Sequence, residues 1–303
     1  MSPEPASVAT ARVEDFNEPL AALGGHRALW HTIRRKPLGA ASGAIILVLV
    51  LLAIFADVVA PYDPLDAKPE IRLAAPSMTH LFGTDDIGRD VLSRVIYGSR
   101  ISLWVGLLAV GIGTMAGMVI GLVTGYWEGR LDLVVQRIMD AVQAIPGLIL
   151  ALAIVSVLTP NTTNAMLAIA IVIIPGNSRI VRGAVLSAKQ NRYVEAAQAL
   201  GCGHLHIIVK HILPNVTAPI LIIASIWLGN AILIEASLSF LGVGTQPPSP
   251  SWGLMLSSTG RAFMEQAPWL AIFPGLAISL AVFAFNIFGD TLRDAWDPRL
   301  RQR

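Results

Sequence analysis

A chain of 303 residues that is 54% hydrophobic and only 14% charged, with a mean hydropathy of +0.64, does not have the composition of a soluble domain, where about 25% of residues are charged. The net charge of +2 says little about partners, and a single cysteine, Cys202, excludes an internal disulfide. Charge is bunched, and the long uncharged stretches between the bunches point to an all-α, polytopic membrane protein.

The first 36 residues are polar and end in Arg34, Arg35 and Lys36, directly before the first apolar run. The stretch 37–56 carries no charge over 20 positions, and a spanning helix needs roughly 20 apolar residues. Val58 and Ala60 have the spacing of a signal-peptide cleavage site. The polar leader is long, however, and the apolar run is full length, so an uncleaved anchor helix is expected over 37–60.

The segment 61–100 is too long for a bare connector and is expected to carry structure of its own. Residues 81–100 read as a loop feeding a short amphipathic helix on the membrane rim. Thr84 or Asp85 is expected to cap it, with Val91, Leu92, Val95 and Ile96 on one face and Asp90 paired to Arg94.

A five-helix core follows over 101–290. The uncharged runs 101–127, 212–234 and 266–289 each fit one span. The 38-residue run 141–178 is too long for one, and the polar turn LTPNTTN at 158–164 divides it. Six spans result, near 38–58, 101–125, 137–158, 165–184, 216–238 and 268–289. Strands fit poorly, because the windows do not alternate and exceed the roughly ten residues of a barrel strand. Gly113, Gly117, Gly121 and Gly125 form a smooth stripe for close helix packing, within the chain or with a partner. Pro146, Pro175 and Pro274 are expected to kink their helices. Asp140, Glu235 and Asp290 lie at or near span ends. Glu235 is the deepest, either a pathway acid or a hydrogen-bonded packing residue near the outer interface.

Sixteen of the 22 basic residues fall in segments that an inside N-terminus would place on the cytoplasmic side, so both termini, including the tail 291–303, are expected in the cytoplasm. The five basic residues of 61–100 argue mildly the other way.

No GxxxxGK[ST], HExxH, CxxC or GxSxG occurs. Cys202 with His206, and His204 with His211, sit at helical spacing, but Gly201 and Gly203 interrupt the helix and a zinc site wants three or four placed ligands. No metal site is expected; the histidines are assigned to headgroups, backbone or a partner. The surrounding stretch, YVEAAQALGCGHLHIIVKHILPN (193–215), reads as a helix, a turn at Gly201, a second helix, and Pro214 opening the next element. Tyr193, Val194 and Leu200 offer apolar contact, Ala196 and Ala197 close approach, and Glu195 one directed charge. This is a knob for docking, 185–214, on the expected cytoplasmic side.

Glu195, Ala196, Ala197, Gly201 and HILP at 211–214, ending in Leu213 and Pro214, resemble the signature of permease subunits of bacterial ABC importers. His211 stands where that family often has isoleucine. FGTDDIGRDVLSR (82–94), EASLSFLGVG (235–244), PPSPSWG (247–253) and GDTLRDAWDPRLR (289–301) resemble its dipeptide, oligopeptide and nickel branch, as the second permease of a pair. The resemblance implies a type I importer permease in a bacterial inner membrane. It implies a second homologous permease, two cytoplasmic ATPases that hold ATP and Mg, and an extracytoplasmic solute-binding protein. The chain itself would bind no cofactor or nucleic acid, meet membrane lipid, and have no enzymatic activity. The EAA segment would be the coupling helix, and alternating access the mechanism. Rival readings are a carrier driven by an ion gradient through Glu235 or Asp140, and an intramembrane enzyme using the same acids. The first predicts inverted repeats, which are not evident.

Overall fold

The structure, a computed structural model, describes residues 37–257 and 262–296. The expected N-terminal segment 1–36 and the tail from 297 onward lie outside the described residues. Among the described residues the regular structure is helical, with a single isolated bridge between Thr84 and Asp90. The elements are α1 (Pro37–Ile54), α2 (Ala56–Val59), a 3-10 turn (Pro69–Ile71), α3 (Val91–Trp127), α4 (Gly129–Gln143), α5 (Gly147–Leu158), α6 (Thr162–Lys189), α7 (Arg192–Ala199), α8 (His204–Phe240), α9 (Trp252–Leu256) and α10 (Trp269–Trp296). Among the described residues, five helices are long and apolar enough to cross a membrane, and the bent pair α4–α5 makes a sixth candidate.

α3 and α6 form the most extensive helix pair. The glycine stripe explains why. A Cβ on Gly113 would lie 2.7 Å from the Ala170 carbonyl oxygen, and one on Gly121 would lie 2.6 Å from that of Ser178. Gly117 faces Asn177, and Gly125 faces Val185. The stripe therefore serves packing within the chain. The opposite side of α3 exposes Trp104, Leu107, Met115 and Val119, an apolar row suited to lipid. α8 packs against α3, α6 and α10, and α1 lies against α10 and α3.

Two expectations need correction. First, the amphipathic stretch after residue 90 is not a separate rim helix; it is the first part of α3, which runs unbroken for 37 residues, about 55 Å at 1.5 Å per residue. Asp90, not Thr84 or Asp85, caps it, accepting from the Ser93 amide at 2.8 Å. The Asp90–Arg94 pair does not form. Asp90 is taken by Ser93 and by His80 Nδ1 at 2.9 Å, while Arg94 donates to the Pro64 carbonyl and faces Asp85. Val91 and Ile96 are buried, and Val91 packs with Met255 and Leu270.

Second, the expected third span is two helices meeting at 90° around Ala144–Pro146. Pro146 has no amide hydrogen to continue the α4 ladder, so the kink expected there is a full corner. α4 is amphipathic and turns Asp132 and Asp140 to Arg182 and Arg179 of α6. α5, at 12 residues, is apolar but for Ser156, whose hydroxyl donates to the Leu152 carbonyl.

As expected, Pro214 stands in the first turn of an α-helix, Leu213–Phe240, the α-wound part of α8, which continues from residues Ile207–Ile212 wound as a π-helix. The wider turn accommodates a proline whose ring would otherwise meet the carbonyl four residues back.

Candidate docking site

At one end of the bundle, here the knob end, α6 stops at Lys189 and the chain reverses through α7 into α8. Gly201 makes the reversal possible. Its φ of +77° is costly for residues with a Cβ. Its amide donates to the Gln198 carbonyl, and that of Cys202 to Ala197, closing the two bonds of a Schellman motif.

The knob is held by one of its faces. Val194 and Ala197 are buried in a cluster with Leu122, Val181, Val185, Ile207, Ile212 and Val216. These two side chains, expected to meet a partner, are instead used up in anchoring the knob. Leu213 packs at the edge of the same cluster, and Pro214 is exposed. Tyr193 (41% exposed), Glu195, Ala196 and Leu200 (83% exposed) face outward. The outward face is thus an exposed leucine, a tyrosine, one carboxylate and a flat alanine surface.

Sequence reasoning missed the polar part of the site. Tyr126, near the end of α3 and only 6% exposed, meets His204 Nδ1 through its hydroxyl at 2.8 Å. Lys189 Nζ donates to the Tyr126 carbonyl at 2.8 Å and to Glu128 at 2.6 Å. These partners are 61–78 residues apart, so no local pattern announces them. A lysine in the last turn of α6 was the one available sign, since cations there meet helix-end carbonyls. The other histidines, His206 and His211, lie side by side with ring centroids 5.7 Å apart. No group of three or more His, Cys, Asp or Glu converges among the described residues.

The acids are dispersed. Glu235, 1% exposed near the end of α8, sits at the other, cap end of the bundle. It accepts from Ser102 of α3 at 3.0 Å and Ser239 at 2.8 Å, with Thr245 at 3.3 Å. This is the hydrogen-bonded packing arrangement. Asp140 is paired with Arg179 on the flank of α4, and Asp290 is exposed on α10.

Comparison with known proteins gives the family. Residues 117–302 match the binding-protein-dependent transport system inner membrane component, and residues 26–76 match the N-terminal membrane domain of oligopeptide transport permease C. The dipeptide transport system permease protein DppC of Alkalihalophilus pseudofirmus is 41% identical over 99% of this chain and 97% of its own. The glutathione transport system permease protein GsiD of Pectobacterium atrosepticum is 43% identical over 91% of each. A solved inward-facing structure of the MetNI methionine ABC transporter shares the fold, with a TM-score of 0.52 and 19% identity over 68% of this chain and 98% of that one. The resemblance carried by Glu195, Ala196, Ala197 and Gly201 therefore holds across nearly the whole sequence, and the chain belongs to the family of inner-membrane permeases of binding-protein-dependent ABC transport systems.

Proposed function

We propose that this chain is the second permease of a heteromeric importer for dipeptides, oligopeptides or related small solutes such as nickel chelates, and that α7 is where its motor grips. A homologous permease completes the pathway, two cytoplasmic ATPases bind ATP and Mg, and an extracytoplasmic binding protein delivers the solute. The chain binds no cofactor, contacts no nucleic acid and catalyses no reaction of its own. Both termini and the knob lie in the cytoplasm, and the cap end faces outward.

The observation that carries this reading is the two-sidedness of α7. Val194 and Ala197 bind the knob to the helix ends, while Tyr193, Glu195, Ala196 and Leu200 stay free. A helix that exposes a large leucine beside a single carboxylate, outside the apolar belt, is suited to a protein groove. The relatives named for dipeptide and glutathione transport support a peptide-like solute. The ion-gradient alternative gains nothing from Glu235, whose two carboxylate oxygens are both occupied by hydroxyl donors.

The test is Glu195→Lys in the assembled transporter. ATPase co-purification and solute uptake should fall by about tenfold or more, the cost of reversing one interfacial charge, with membrane insertion unchanged. Full ATPase association in that variant contradicts the docking role.

A further inference from the structure

Among the described residues, the knob meets helices distant in sequence through apolar contacts, with one exception. Of the side-chain hydrogen bonds made by residues 190–212, the one that reaches a helix distant in sequence is His204 Nδ1 with the Tyr126 hydroxyl. Apolar contacts are non-directional and let one surface slide on another. A hydrogen bond fixes a position, because it weakens steeply with misalignment.

Tyr126 is also where three helix ends meet. Its ring belongs to the cluster that buries Val194 and Ala197. Its hydroxyl reaches the first residue of α8. Its carbonyl accepts from Lys189, in the last turn of α6, and that ammonium lies 5.5 Å from the ring centroid. The His204 ring stands edge-on to Tyr126, at 5.6 Å and 75°. α3 and α6 are packed backbone to backbone along the glycine stripe, so whatever is fixed to Tyr126 is fixed to that pair.

We propose that Tyr126 is a positioning residue for transport. Through His204 it ties the docking knob to the cytoplasmic end of α3, so that a displacement of α7 is carried into the α3–α6 pair and not lost in sliding. The proposal rests on the docking role of α7 given above.

The experiment uses the full transporter with its ATPases in nanodiscs, with Cys202→Ser and spin labels at the exposed positions Gln198 and Met115. Distances are recorded without nucleotide and with ATP trapped. The tied knob gives one distance that ATP leaves unchanged, since knob and α3 move together. Tyr126→Phe, which keeps the ring and removes the hydroxyl, should increase a second, detached population about three- to tenfold, the range one neutral hydrogen bond commands. His204→Ala should match it, and the double variant should be no worse than either single one. His204→Asn, which keeps an acceptor near the Nδ1 position, should restore the single distance.

Three results overturn the proposal: a single distance in Tyr126→Phe, additive effects in the double variant, or no rescue by His204→Asn. A hydroxyl that serves stability alone would lower the yield of folded protein and leave the distances single, which also overturns it. Failure of the docking reading is separate. It appears as ATPases that stay bound after Glu195→Lys, whatever the Gln198–Met115 distances show.

Discussion

The two ends of the bundle are held together by different physics. At the cap end Asp85, Asp90, Arg94 and Glu235 are each 5% exposed or less and sit in polar knots. Asp85 accepts from the Ile87 and Arg89 amides and from Arg89 Nε, Asp90 joins His80 to the start of α3, and Glu235 gathers hydroxyls from α3, α8 and the following loop. At the knob end the core is aliphatic but for the Tyr126 ring, and the paired Lys189 and Glu128 lie on its rim. Directional bonds to ionised groups define one geometry and are costly to break. An aliphatic cluster tolerates repacking. The contrast places the rigid, shape-defining surface at the cap end and the movable one where α7 sits. That arrangement suits the proposed assignment, with a binding protein at the cap end and a moving ATPase at the knob.

The largest effect should come from opening the cap knot. Glu235→Ala strips the partner from the hydroxyls of Ser102 and Ser239 and leaves a cavity, a loss of roughly 2–4 kcal/mol. Thermal unfolding in detergent should show it as a lower midpoint, with Glu235→Gln retaining part of the stability because it keeps one acceptor oxygen. A Glu235→Ala protein as stable as the parent would erase the contrast between the ends.

A smaller loss is expected from crowding the aliphatic end. A side chain on Gly125 starts 2.9 Å from Val185 Cβ, so Gly125→Leu should cost about 1–3 kcal/mol. Gly183, on the same helix pair but with nothing within 4 Å of its Cβ position, is the control; Gly183→Ala should stay within about 0.5 kcal/mol of the parent. If the two variants unfold alike, close approach is not what holds α3 to α6.

Much of this architecture was legible in the sequence because it depends on residues near one another in the chain. Uncharged length gave the spans, the four-residue glycine period gave the α3 packing face, and Gly201 marked the turn after α7. What was missed depends on contacts distant in sequence. Whether Arg94 pairs with Asp90 or Asp85 depends on Pro64 and His80 folding back over the start of α3. The corner at Pro146 is a full break because α4 has Arg179 and Arg182 to hold it sideways. Val194 and Ala197 looked available because their cover, the end of α6 and the start of α8 folded back over α7 beside Leu122 and Tyr126, is a tertiary arrangement that helical spacing does not show. Pro214 marked a helix start by local rules, and the π-wound turn before it is what the local pattern did not show.

The least effect is expected where charge pairing is open to water, just beyond the end of α1. Asp57 accepts from Arg100 Nη2 at 3.0 Å and from the Tyr97 hydroxyl at 2.8 Å, and these bonds, that of Arg100 first, hold its carboxyl below its ordinary 3.8. A carboxylate whose folded pKa is depressed adds stability above its unfolded pKa and loses it as pH falls through the folded value. The tie between α2 and α3 should therefore persist from neutral pH down to about 4 and loosen below it. The pair is exposed, so salt should weaken it at any pH. A spin label at Val58, 83% exposed on α2, would report this as faster motion in acid. Asp57→Asn should show that faster motion at neutral pH and no further change on acidification. An acid-induced change that survives Asp57→Asn would show that the Asp57 bonds are not what ties α2 to α3.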